Sequence, residues 1–161
     1  MTGRARLFGD DINTDYIITS RRKRESLDPA VLRAYLFEEV DAGFAATVEE
    51  GDVIVAGKNF GCGSAMEVAV TAVLGAGIRA VVACSFSRTY YRNAVNNGLL
   101  PVECDTGGIS EGDRLVIGDG EVRNQTTGAI MMAAELPGMM REIVAAGGLV
   151  PYFRRHRDFV V

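Results

Sequence analysis

Tryptophan is absent, histidine occurs once, and cysteine occurs three times. The single histidine, His156, lies in a charged tail, which sets aside a Ser-His-Asp triad or a histidine metal site within the chain. Cys62, Cys84 and Cys104 are odd in number, widely spaced and without a Cys-x-x-Cys pair, so neither a disulfide framework nor a zinc site is expected. We expect this chain to bind no metal. No apolar run approaches the length of a membrane span. Met1 to Leu7 is polar and lacks the apolar core of a signal peptide, so the expected compartment is the cytoplasm or another reducing one. There is no excess of positive charge: the formal net charge is −4, and the cationic residues are clustered rather than spread. Nothing in its distribution reads as a nucleic-acid footprint. The run Arg21-Arg22-Lys23-Arg24 is expected to be a solvated loop.

What is present suits one mixed α/β domain spanning residues 1–161, with 48% apolar and 24% charged residues. Strands are expected at Arg4 to Phe8, Val53 to Ala56, Ile78 to Cys84 and Leu99 to Val102. Asp28-Pro29 is a helix start, with Asp as cap and Pro in the first turn. Helices are expected from Ala65 to Leu74 and from Ser85 to Asn97, the latter stopped by Gly98. Strand, helix, strand, helix, strand from Val53 to Val102 is the pattern of parallel βαβ units. Gly107 to Gly128 changes to short alternating segments, which reads as a small antiparallel β portion. A last helix, Gly138 to Ala146, ends at Gly147-Gly148.

The most informative stretch is Gly57-Lys58-Asn59-Phe60-Gly61-Cys62-Gly63-Ser64, between an apolar strand and a helical run. Such a turn lets backbone approach a ligand and aims free N–H groups at an anion. Ser64 stands where a helix N-cap belongs, able to cap or to face the ligand. Cys62 reads as a packed thiol and Cys84 as a core residue. The loop is not a Walker A motif, because Lys58 precedes the last glycines, and it lacks the third glycine of a dinucleotide fingerprint. Asp10 to Ile18 is rich in carboxylates without the pattern of a calcium loop, and is expected to be an Asx-rich turn. Ser85 to Asn93 follows the buried strand at the edge where open α/β sheets bind ligands. Arg88 and Arg92, four apart, either grip a carboxylate together or pair with the chain's own acids.

Asp11-Ile12-Asn13-Thr14-Asp15, Val55 to Ser64, Ser85-Phe86-Ser87-Arg88 and Tyr91 to Leu99 together resemble the small subunit of 3-isopropylmalate dehydratase, the swivel domain of the aconitase superfamily. The resemblance runs from the first strand through Glu103 and fits the chain's length. It implies a swivelling β/β/α fold and a hydro-lyase that isomerises or dehydrates 2-hydroxy acids of the alkylmalate type. It implies a [4Fe-4S] cluster on a separate large subunit, where the iron acts as Lewis acid. It also implies Ser64 as the alkoxide base, with Gly61, Cys62, Gly63, Ala65, Arg24 and Arg88 as substrate contacts. One departure stands out. The family pattern Gly-Ser-Ser-Arg-Glu is here Gly63-Ser64-Ala65-Met66-Glu67, so the carboxylate-holding arginine is missing. Arg24 is the candidate replacement, with Arg21, Arg22 and Lys23 equally close in sequence. A divergent non-catalytic paralogue is the alternative, and a stand-alone phosphate-binding domain a third.

Overall fold

Val53–Ala56 and Ala80–Ala83 carry no polar side chain and are buried at every position, so they can only be strands covered on both faces. The computed structural model describes residues 1–118 and 120–156. In chain order its elements are β1 (Thr2–Leu7), α1 (Thr14–Ile17), α2 (Ser20–Glu25), α3 (Pro29–Leu32), a 3-10 turn at Arg33–Tyr35, α4 (Phe44–Thr47) and β2 (Val53–Ala56). They continue with α5 (Val68–Gly75), β3 (Ala80–Ala83), α6 (Arg88–Asn97), β4 (Leu100–Glu103), β5 (Arg114–Ile117), β6 (Glu121–Asn124), β7 (Ile130–Met132), α7 (Gly138–Ala145) and α8 (Leu149–His156).

One seven-stranded sheet has the order β4-β3-β2-β1-β5-β6-β7. The strands β1 to β4 pair in parallel, and β5 to β7 continue from β1 in antiparallel pairs. Alternation along β2 and β3 divides the core. Ile54, Ala56, Val81 and Ala83 pack under α1, α3, α5 and α6. Val53, Val55, Ala80 and Val82 meet Leu115, Ile117 and Val122 of the antiparallel half, so the sheet curls over its own second face. A smaller cluster around Val95, Leu136, Ile143 and Tyr152 seats α7 and α8 against α6.

The parallel βαβ units, the Asp28 cap with Pro29 in the first turn, and the left-handed Gly98 stop all match the sequence expectations. Several differ. The helix expected from Ala65 begins at Val68, capped by no side chain, so Ser64 is not its N-cap. The helix expected from Ser85 begins at Arg88, because the Ser87 side chain caps it. The run Arg21 to Arg24 is helical within α2, with Thr19 accepting from the Arg22 amide. α8 lies beyond the glycine stop at residues 147–148. Its Pro151 falls in the first turn, where a missing N–H costs nothing. The antiparallel portion reaches past Gly128 to β7 and shares the sheet instead of standing apart.

Where the sheet changes from parallel to antiparallel, β1 carries Arg4 and Arg6 against Asp52. Arg4 donates to both Asp52 oxygens (3.0 and 2.8 Å), Arg6 donates at 3.4 Å and the Glu49 amide at 3.0 Å. Burial alone would raise the Asp52 carboxyl, but these donors hold it below the usual aspartate range. Its contribution is therefore complete above an ordinary aspartate value of about 3.9 and is lost as pH falls through the lower folded value. Asp52→Ala removes the carboxylate shared by Arg4 and Arg6 and leaves buried Arg6 with only the more exposed Glu111 (2.9 Å) as ion-pair partner, and we expect a loss of about 2 kcal/mol in urea unfolding. Asp52→Asn should flatten the fall of stability below about pH 4.

Candidate active site

The glycine loop after β2 is shaped by two neighbours, the loop after β1 and the start of α6. Backbone bonds run from Gly61 N to Ile12 O (2.8 Å) and from Thr14 N to Cys62 O (2.8 Å). The Thr14 hydroxyl donates to Ser64 O at 3.0 Å. From α6, the Ser87 hydroxyl donates to Gly61 O at 2.6 Å and accepts from the Tyr90 amide at 3.3 Å. Phe60 N bonds to Ser85 O (3.0 Å), and Ser87 N bonds to Phe60 O (2.9 Å). Gly61 and Gly63 have φ of 76° and 96°, and neither has room for a side chain. A Cβ on Gly61 would enter the Tyr90 ring, and one on Gly63 would meet the Asn13 amide.

The short polar side chains expected to make local Asx turns do so only at Asn13, while the carboxylates reach farther. Asn13 caps α1 by accepting from the Asp15 amide at 2.9 Å. Asp10 accepts from the Lys58 amide (2.7 Å) and Asp11 from the Asn59 side chain (2.8 Å), which ties this segment to the glycine loop. Asp15 accepts from the Ser20 amide (3.0 Å) and hydroxyl (2.6 Å), which fixes the start of α2.

Around this frame the proposed site residues take distinct places. Gly63, Ser64 and Ala65 are exposed, Cys62 is half-buried and Gly61 buried. The Ser64 hydroxyl makes no hydrogen bond among the described residues, and the amides of Gly63, Ser64 and Ala65 donate none. Burial first, then Asp11, pushes the Cys62 thiol above its usual range, which suits a packed thiol better than a nucleophile. Cys84 is half-buried, its sulfur 3.1 Å from the Thr106 hydroxyl. Met66 is only 3% exposed and packs into the core, its sulfur 3.7 Å from the Ser20 hydroxyl.

The cations separate clearly. Arg22 is committed to Glu38 through two bonds of 2.9 Å, to Glu25, and to the Tyr35 ring at 3.6 Å. Arg24 is exposed and makes no ion pair among the described residues. On α2, Lys23 and Arg24 follow Ser20 by three and four positions, so they share its face, the one above Met66. Arg88 and Arg92 are exposed and form no ion pair among the described residues, so the expected choice between a ligand and internal pairing goes against internal pairing. With Phe86, Tyr91 and Glu103 they line an open groove of about 510 Å³. Ser64 does not line that groove, but Ser87 joins its start to the loop.

Sequence reasoning missed Thr14 and Ser87, the two hydroxyls that hold the loop. The signal was present: each lies in a motif beside a site residue, but neither residue type announces its partner. Among the described residues no three or more His, Cys, Asp or Glu side chains lie together in a way that could hold a metal ion.

The model of the aconitase C-terminal domain matches residues 21–107. The 3-isopropylmalate dehydratase small subunit of Moorella thermoacetica is 46% identical over 157 residues, covering 95% of this chain and 94% of its own. The methanogen homoaconitase small subunit of Methanocaldococcus jannaschii is also 46% identical, covering 96% of this chain and 92% of its own. A crystal structure of a 3-isopropylmalate dehydratase from Methanocaldococcus jannaschii superposes with a TM-score of 0.93 at 44% identity, covering 97% and 94% of the two chains. The chain belongs to the family of 3-isopropylmalate dehydratase and homoaconitase small subunits, in the aconitase superfamily.

The fit of Gly61 against Tyr90 gives a direct test of the loop's support. Gly61→Ala should lower stability by about 2–4 kcal/mol through overpacking and a left-handed alanine, read as a drop in Tm.

Proposed function

We propose that this chain is the small subunit of a heteromeric hydro-lyase that isomerises or dehydrates a 2-hydroxy acid of the alkylmalate type. Ser64 is its base. The observation that carries the reading is a serine hydroxyl left exposed and, among the described residues, unbonded, beside loop amides that have no acceptor there. A serine oxygen takes a proton from carbon only if its anion is stabilised, and main-chain N–H groups aimed at it supply that stabilisation. The helix N-terminus is a lesser contributor, since α5 starts at Val68 and the macrodipole fades within a turn.

Gly61, Cys62, Gly63 and Ala65 form the backbone wall against the substrate. Arg88 reaches one carboxylate from α6. Met66 offers a buried, uncharged side chain where the family carries a cation, so a second carboxylate is met from α2, by Arg24. Arg22 is excluded from that role by its pairing with Glu38. The iron–sulfur cluster does not fit this chain's described residues, whose cysteines do not converge with other ligands, and we assign it to the large subunit. The partners are that subunit and the small acid, with neither nucleic acid nor membrane required, in a reducing cytoplasm. No described helix is long and apolar enough to cross a membrane.

Ala65 and the buried Met66 favour a second reading: a paralogue that keeps the fold and the pairing but has lost turnover. The two separate in one experiment. Co-purified with its large subunit, the complex is assayed on 3-isopropylmalate, homocitrate and other alkylmalates. On the first reading one of them turns over, and Ser64→Ala reduces kcat by roughly 10²- to 10⁴-fold. Stable pairing with no turnover on any acid supports the paralogue. Arg24→Ala should raise KM for the accepted dicarboxylate by about tenfold or more, from loss of a charge-assisted bond. Arg22→Ala should act through stability instead.

A further inference from the structure

Thr14 is 2% exposed and uses both of its donors on the glycine loop. Its amide holds Cys62 O at 2.8 Å and its hydroxyl holds Ser64 O at 3.0 Å. In a trans peptide the carbonyl and the following N–H point in opposite directions, and the described chain contains no cis peptide. A carbonyl drawn inward to Thr14 therefore turns the next amide outward. The two amides so turned are those of Gly63 and Ala65, on either side of Ser64. Neither donates a hydrogen bond among the described residues, and both residues are exposed. The Ser64 carbonyl also accepts from the Met66 amide at 2.8 Å, which fixes the same orientation from the other side.

We infer that Thr14 is a positioning residue: by pinning two alternate carbonyls it aims the N–H groups of Gly63 and Ala65 outward as a preformed pair of donors for an oxyanion. The inference rests on the reading of Ser64 as the reacting group, because that pair flanks its side chain. Among the described residues the one other hydrogen bond to these two carbonyls comes from the Met66 amide, which reaches Ser64 O but not Cys62 O. Gly61 and Gly63 are in the left-handed region, and α5 begins too late to lock residue 64 within a helix. The neighbouring Asn13 fills the space a side chain on Gly63 would need, which closes off a relaxed alternative. Ser87 acts likewise one peptide earlier, on Gly61 O, but it does not touch the two peptides beside Ser64.

Thr14→Val keeps the shape and the amide but removes the hydroxyl, whereas Thr14→Ser keeps the donor. In the complex with the large subunit, Thr14→Val should lower kcat by roughly 10- to 100-fold with KM changed by less than about twofold, and Thr14→Ser should restore most of the rate. A Thr14→Val enzyme with the wild-type kcat overturns the inference, as does a Thr14→Ser enzyme as slow as Thr14→Val. Ser64→Ala separates the two layers. If it turns over at the wild-type rate, the base reading fails. If it is inactive while Thr14→Val is normal, only the role of Thr14 fails. A second readout needs no turnover: malonate titrated into the complex with the large subunit, with the Gly63 and Ala65 amide resonances followed. Both should shift in the wild type and in Thr14→Ser; in Thr14→Val, which keeps the Thr14 amide on Cys62 O, the Gly63 resonance should still shift while the Ala65 resonance loses its response. Wild-type resonances that stay in place, or an Ala65 response unchanged in Thr14→Val, would count against the donor pair.

Discussion

The clasp between the loop after β1 and the loop after β2 is the constraint on which the candidate site depends. β1 and β2 are adjacent parallel strands, so their C-terminal ends emerge side by side at one edge of the sheet. The chain continues the pairing beyond the strands: Phe8 N to Val55 O (2.7 Å), Gly57 N to Gly9 O (3.1 Å), Asp11 N to Lys58 O (2.8 Å) and Gly61 N to Ile12 O (2.8 Å). The glycine loop is thus an extension of a strand pair. Its position follows from sheet register, which the buried faces of β2 and β3 fix, since a one-residue slip would reverse their two cores.

That origin explains how a loop with outward, unbonded amides is tolerated. Exposed donors are served by water, so they carry little penalty, while Cys62 O and Ser64 O, the carbonyls that share peptides with the Gly63 and Ala65 amides, are satisfied inside. The cost of two left-handed positions falls on glycine, where it is small. The aromatic packing of Phe60, Phe86 and Tyr90 stiffens the layer beneath, with Phe60 and Tyr90 edge to face at 5.1 Å. The Tyr90 hydroxyl is buried without a partner among the described residues, and nothing in the structure accounts for it.

Legibility from sequence divides along a physical line. Elements with unmistakable local chemistry were readable: the apolar strands of the parallel half, the Asp28-Pro29 start and the Gly98 stop. The start of α5 was not, because Ser64 has the residue type of an N-cap while its carbonyl is drawn to Thr14, a tertiary contact fifty residues away in sequence. The basic run at residues 21–24 looked solvated, and its helix depends on Thr19 and on Asp15 reaching Ser20. Which arginine is free for a ligand was equally hidden, since the commitment of Arg22 to Glu38 joins distant parts of the chain. Site residues recognisable by type or motif were legible, and the hydroxyls that orient them were not.

Ser64, Gly63, Ala65, Arg24 and Arg88 all lie on the surface, and this bears on how the proposed chemistry could work. In water a serine hydroxyl beside exposed amides gains little, because solvent competes for every donor and screens each charge. The same groups become effective once a second surface covers them and removes the water, since a preformed dipole then acts in a low dielectric without reorganising. The groove along Phe86 and Tyr91 is likewise open, with Arg88 and Arg92 among its lining residues. On the proposed reading, therefore, this chain contributes one half of a reaction chamber. Its rigid clasp presents donors at fixed angles, and closure against the large subunit makes them strong enough to matter.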